Sequence, residues 1–259
     1  MANGHGVFFT HGDQLLHSTS RRSFLQVMGL GGAIVLMPTM FAACGDDGDN
    51  ITNPTDRPYT LDLSTDVGIL NYAYALEQLE AAYYTVALTS AGFAALSADE
   101  KEVLSDLQKH EVIHREFLKQ VLGTAAIPTI NFNTTTVGTL TANRSVLLST
   151  SQLLEDTGVS AYNSAGKYLT SATNLLVAGK IVSVEARHAA AIRDIRDGAN
   201  GRLFAGDDVV NAAGLDVKAE AETVLASVVS LNVVTSPLAI GTPANQSRRT
   251  PDQTAPTPT

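Results

Sequence analysis

The sequence predicts an all-α fold: a four-helix bundle with one long crossover and an accessory C-terminal helix. Three observations carry this. Four long stretches place apolar residues at three- and four-residue steps, a Pro- and Thr-bearing segment at 124–142 separates the second stretch from the third, and the two halves repeat one pattern of Glu, His and Tyr.

The elements follow in order. From about Ser64 to Ala91, apolar Val67, Leu70, Ala73, Tyr74, Leu76 and Leu79 give the first helix its buried stripe. Ser97-Ala98-Asp99-Glu100 is a capping box, in which the Ser hydroxyl and the Glu carboxylate each take a backbone N–H left free at a helix start. The helix it opens runs to Gly123, a natural stop. Pro128, alternating Ile and Phe and a Thr run make 124–142 an extended crossover. A third helix is expected over Asn143–Leu169, a fourth over Ala172–Asp197 before Gly198, and a shorter fifth over Leu215–Leu231. The domain is thus expected over 64–235. Residues 236–259, rich in Pro, Thr and small polar residues, read as a disordered tail with too little apolar surface to offset its ordering entropy.

The N-terminal end has a different character. Ser20-Arg21-Arg22-Ser23-Phe24-Leu25 precedes a modestly apolar run broken by Gly29, Gly31, Gly32 and Pro38, which resembles a twin-arginine export signal. Phe41-Ala42-Ala43-Cys44 resembles a lipoprotein cleavage box, so residues 1–44 are expected to be a signal whose Cys44 carries a lipid. Residues 45–63 then form a polar tether, and the expected location is the periplasm or cell envelope, anchored to a membrane. Cys44 is the sole cysteine, which excludes an internal disulfide and any thiolate metal cluster. Removing Arg21, Arg22 and Asp13 with the signal takes 17 basic residues to 15 and 26 acidic ones to 25, a balance that argues against a nucleic-acid partner.

Chemistry concentrates on the four long stretches. Glu111-Val112-Ile113-His114 lies on the second and Glu185-Ala186-Arg187-His188 on the fourth; three residues on a helix put Glu and His on one face, a turn apart. The first and third carry Glu77 with Tyr84 and Glu155 with Tyr162, each seven residues apart and so nearly in line. With 10 Glu and 6 His in the chain, chance supplies roughly 0.2 Glu-x-x-His pairs. Four carboxylates and two imidazoles neutralise and ligate two divalent cations of the iron or manganese kind. Buried without metal, such carboxylates repel one another and their pKa values rise.

Glu80 stands one turn from Glu77 and competes with it as the ligand. Aligning the halves sets Glu77 on Glu155 and Tyr84 on Tyr162, but Glu80 on Gly158, which favours Glu77 and leaves Glu80 as a supporting or bridging carboxylate. Tyr84 and Tyr162 are expected to pack with their hydroxyls bonded near the site. His110-Glu111-x-x-His114 also matches the zinc-hydrolase helix. Against that, Val184 stands where the repeat would need a second leading His, and His110 is then an accessory or surface residue.

The stretches LNYAYALEQLEAAYYTVAL, LQKHEVIHREFLKQVLG, LLEDTGVSAYNSAG and IVSVEARHAAAIRDI resemble the ferritin-like domain family that includes desiccation-related and other exported proteins, over about Asp66–Ile195. The resemblance implies a ferritin-like bundle with metal at Glu77, Glu111, His114, Glu155, Glu185 and His188. The expected cofactor is two Fe ions, with Mn as the alternative, reacting with dioxygen or hydrogen peroxide. A non-catalytic, stress-protective bundle braced by metal is the second expectation.

Overall fold

A computed structural model describes residues 59–241. The expected signal, Cys44, most of the tether and the tail beyond Gly241 lie outside these residues. The chain runs β1 (Tyr59–Leu61), α1 (Asp66–Ala87), α2 (Ala91–Ala94), α3 (Ala98–Leu122), α4 (Thr134–Thr139), α5 (Arg144–Ala165), α6 (Ala172–Arg196), α7 (Ala221–Ser230) and β2 (Leu238–Ile240). Long helices α1, α3, α5 and α6 make the bundle, α1 lying along α3 and α5 along α6.

Local chemistry sets the helix starts. Thr65, Asn143 and Ser171 each accept an N–H of the first turn of α1, α5 and α6. At α3 the capping box closes as expected: Ser97 Oγ accepts from Glu100 N–H at 3.2 Å and the Glu100 carboxylate accepts from Ser97 N–H at 2.8 Å. Gly123 ends α3 at φ +55°, a left-handed turn that glycine makes without a Cβ penalty.

The crossover is extended where it passes over α1. Buried Asn71 and Gln78, two turns apart, hold it there: Asn71 donates to Ala125 O and accepts from Ile127 N–H, and Gln78 accepts from Ile130 N–H. Its second half departs from the expectation, because Asn133 caps the short helix α4. The third helix also stops at Ala165, earlier than expected, and a 3₁₀ turn follows over Gly166–Tyr168. The fifth helix starts at Ala221 instead of Leu215, since Asn211 N–H bonds Leu215 O, Val217 N–H bonds Val209 O and Ala219 N–H bonds Ser160 O. Those pairings satisfy the backbone before a helix can.

Both expected domain edges move outward. Tyr59–Leu61, within the expected tether, pairs in parallel with Leu238–Ile240, within the expected tail, Tyr59 opposite Leu238 and Leu61 opposite Ile240. Among the described residues no helix is long and apolar enough to cross a membrane.

Along each long helix the side chains divide into layers. In α3, Leu104 and Leu107 belong to one apolar cluster and Leu118 and Leu122 to another, with Glu111 and His114 between them. In α6 the order reverses: Ala178 and Ile181, then Glu185 and His188, then Ile192. Antiparallel helices therefore bring their polar turns to one level inside the bundle, capped by apolar packing above and below.

Candidate metal centre

Glu77 on α1, Glu111 on α3, Glu155 on α5 and Glu185 on α6 are each 0% exposed. His114 and His188 lie among them. His114 Nδ1 is 2.8 Å from Glu185 Oε1 and 3.5 Å from both Glu77 Oε2 and Glu111 Oε2. His188 Nδ1 is 2.8 Å from Glu111 Oε1, 3.3 Å from Glu155 Oε2 and 3.6 Å from Glu185 Oε2. Two donor sets result: Glu77, Glu111, His114 and Glu185 in one, and Glu111, Glu155, Glu185 and His188 in the other, the ligand atoms of each set lying within 4.8 Å of one another. Glu111 and Glu185, the carboxylates of the two Glu-x-x-His turns, belong to both.

The tyrosines exchange partners between halves. Tyr84 of α1 donates to Glu155 Oε1 of α5 at 2.5 Å, and Tyr162 of α5 donates to Glu77 Oε1 of α1 at 2.6 Å. Each thus ties down the outer oxygen of the opposite lone carboxylate. Seven-residue spacing put each Tyr on the correct face, but it gave no sign that the hydroxyl crosses to the other half.

Glu80 is buried in the same layer. Its counterpart Gly158 explains how it fits: a Cβ at Gly158 would lie 3.0 Å from Glu80 Oε1 and 3.8 Å from Glu185 Oε2. One half has a fifth carboxylate and the other has the space for it.

His110 falls outside both donor sets. Its Nδ1 lies 2.9 Å from His188 Nε2, so it meets the outer edge of the other motif's histidine and does not converge with His114 on one ion. The two-histidine arrangement of a zinc-hydrolase helix is therefore not formed.

The electrostatics follow from burial and proximity. Burial alone would lower the two imidazoles, but the carboxylates around them prevail and push His114 and His188 up to about 12. Burial would raise Glu185; the same two histidines hold it down at about 2. Burial pushes Glu155 up to about 7 against the pull of His188. Glu111 goes well above the usual carboxylate range through burial and the nearby Glu185, and Glu80 does so through burial and the charges of Glu185, Glu111, Glu155 and Glu77.

The donor set also fits metal by its unpaired atoms. Glu77 Oε2, both oxygens of Glu111 and of Glu185, Glu155 Oε2, His114 Nδ1 and His188 Nδ1 are buried and make no well-angled hydrogen bond, only the close nitrogen–oxygen approaches given above. Buried polar atoms are normally satisfied. Apart from Tyr72 Oη, the buried atoms left in this state are the same atoms that converge, and three carboxylates with one imidazole per set suit first-row divalent ions.

Fold and site together define an all-α, ferritin-like bundle with a buried carboxylate–histidine cluster able to hold metal. The ferritin-like domain family matches residues 65–197, more than half of the chain and the whole span that supplies the cluster. The chain belongs to this family. No match is found among curated proteins.

Proposed function

We propose that this is an exported dimetal carboxylate protein whose two ions, iron in the first reading and manganese in the alternative, react with dioxygen or hydrogen peroxide. The observation that carries it is the sharing of Glu111 and Glu185 between two complete donor sets. Glu77 and His114 would complete one position, and Glu155 and His188 the other. Two adjacent redox ions, when bound, supply the two electrons that reduction of a peroxide requires.

The protein's own part is positional and electrostatic. Glu111 and Glu185, common to both donor sets, would help to hold both ions. Tyr84 and Tyr162 occupy one oxygen of Glu155 and of Glu77, which leaves the other oxygen of each directed inward. Apolar packing on both sides of the polar layer restricts water and strengthens every charge interaction within it. Glu80 adds a fifth carboxyl group to the same buried layer. Export of a folded, metal-loaded protein by the twin-arginine route, with a lipid on Cys44, is consistent with this reading.

The test begins with metal analysis of the protein purified from its exported fraction. Wild type is expected to hold two ions, and His114→Ala, Glu155→Ala and His188→Ala each to lose metal, while Arg21→Lys with Arg22→Lys keeps the precursor in the cytoplasm. Protein loaded anaerobically with two Fe(II) should be oxidised by dioxygen or peroxide faster than free Fe(II), followed by ferric absorbance. A loaded protein that reacts no faster than free iron across neutral pH would overturn the catalytic reading in favour of a metal-braced protective bundle.

A further inference from the structure

We infer that the two metal positions are unequal, and that His110 is the positioning residue that makes them so. It holds His188 in the tautomer that binds metal, so the Glu155–His188 position fills first and the Glu77–His114 position is the exchangeable one. This rests on the dimetal reading above and goes beyond it.

The geometry begins with the two rings. His110 Nδ1 and His188 Nε2 are 2.9 Å apart, the ring planes differ by 8° and the centroids are 5.1 Å apart. That separation is close to the N···N distance plus one ring radius at each end. The nitrogens therefore lie almost on the line joining the centroids, and since the planes are parallel the rings meet edge to edge, not face to face. An N–H on one ring points straight at the lone pair of the other, the strongest alignment such a bond can have.

Only one arrangement of that proton is compatible with metal at His188. Its Nδ1 faces Glu111, Glu155 and Glu185 and must be bare to ligate. Its Nε2 must then carry the hydrogen, which His110 Nδ1 accepts. A ligating histidine whose outer N–H is bonded is oriented and made a better donor.

His114 has no such support. Its Nδ1 is nested among carboxylates in the same way, but among the described residues no group hydrogen-bonds its Nε2. It is also the more accessible of the two, 9% exposed against 3% for His188. The cause is visible in the sequence. The residue preceding the first Glu-x-x-His is His110 and that preceding the second is Val184. His110 serves the other motif's histidine, and the valine at the corresponding position has no side-chain atom that accepts a proton.

The full-length chain, stripped with a chelator, is titrated with Zn(II) by calorimetry and with Co(II) by visible absorbance. ¹⁵N spectra of the labelled imidazoles follow which histidine responds. Two separate steps are expected, His188 shifting with the first equivalent and His114 with the second. His110→Ala should weaken the first step by about 10- to 100-fold and bring the two together, while the thermal midpoint of the metal-free protein stays put. His110→Asn, whose side-chain oxygen takes the place of Nδ1, should restore much of the separation. Two equal steps in the wild type, His114 responding first, or unchanged steps in His110→Ala would each overturn the inequality and leave the dimetal reading standing. A chain that binds neither ion overturns both.

Discussion

The hydroxyls of Tyr84 and Tyr162 show how much a single bond carries when it ends on a buried acid. Each donates to a carboxylate that is 0% exposed, so its loss strands an oxygen where no water replaces it. Tyr84→Phe and Tyr162→Phe are each expected to destabilise the metal-free protein by about 1–3 kcal/mol. Tyr83, also buried, donates to the backbone oxygen of Leu147 at 2.9 Å, and Tyr83→Phe should cost less, about 0.5–1.5 kcal/mol. Urea denaturation of the three chelator-stripped variants checks the order; equal costs would mean that the carboxylate bonds add nothing special. At this scale the sequence was legible by repetition. Glu77, Glu111, His114, Glu155, Glu185 and His188 are brought into one layer because helix periodicity places residues three or seven apart on one face. The partner of each tyrosine was not legible, since it depends on which helix lies opposite. Glu80 is an intermediate case: its match with Gly158 in the aligned halves was in the sequence, but only packing turns that match into a space.

At the scale of the element, Asp66 links two helices. It opens α1, and its carboxylate accepts from Thr170 N–H, Thr170 Oγ1, Ser171 N–H and Asn174 Nδ2 at the start of α6. Burial would raise its pKa, but the N–H groups of Thr170 and Ser171 outweigh that and hold it below the usual carboxylate range. A folded-state pKa below the unfolded one contributes stability above the ordinary Asp value, and that stability is lost as pH falls through about 4 and below. Asp66→Asn should therefore be less stable than wild type at pH 7 by about 1–2 kcal/mol, with the gap closing on acidification. Thermal midpoints of both proteins between pH 7 and pH 3 give the comparison, and a gap independent of pH would rule out the charge as its source. Helix starts were readable where a cap is local, as at Ser97. Ends set by distant partners were not: α7 begins late because Ala219 is held by Ser160 on another helix.

At the scale of the molecule, β1 and β2 join segments that flank the whole bundle. Neither strand was legible, because three residues without a partner carry no periodicity, and their composition reads as linker. Further contacts extend the junction: Asn133 N–H bonds Val233 O, Thr235 N–H bonds Asn131 O, and Ser236 Oγ accepts from Asn131 N–H. Ending the chain after Thr235 should lower the thermal midpoint while leaving helix content and metal stoichiometry unchanged, since every donor of the cluster lies between Glu77 and His188. Circular dichroism with metal analysis separates the two, and loss of metal along with the strands would show that the layers are coupled.

That arrangement also imposes an order on synthesis. A ribosome delivers α1, α3, α5 and α6 well before it delivers Leu238–Ile240, so the acids and imidazoles of the centre can meet while the strand that closes the structure is still unmade. During that interval the bundle exists without its clasp, and Tyr59–Leu61 waits as a lone edge with nothing to pair. Every donor of the cluster is therefore available before the pairing that joins the two flanks can form.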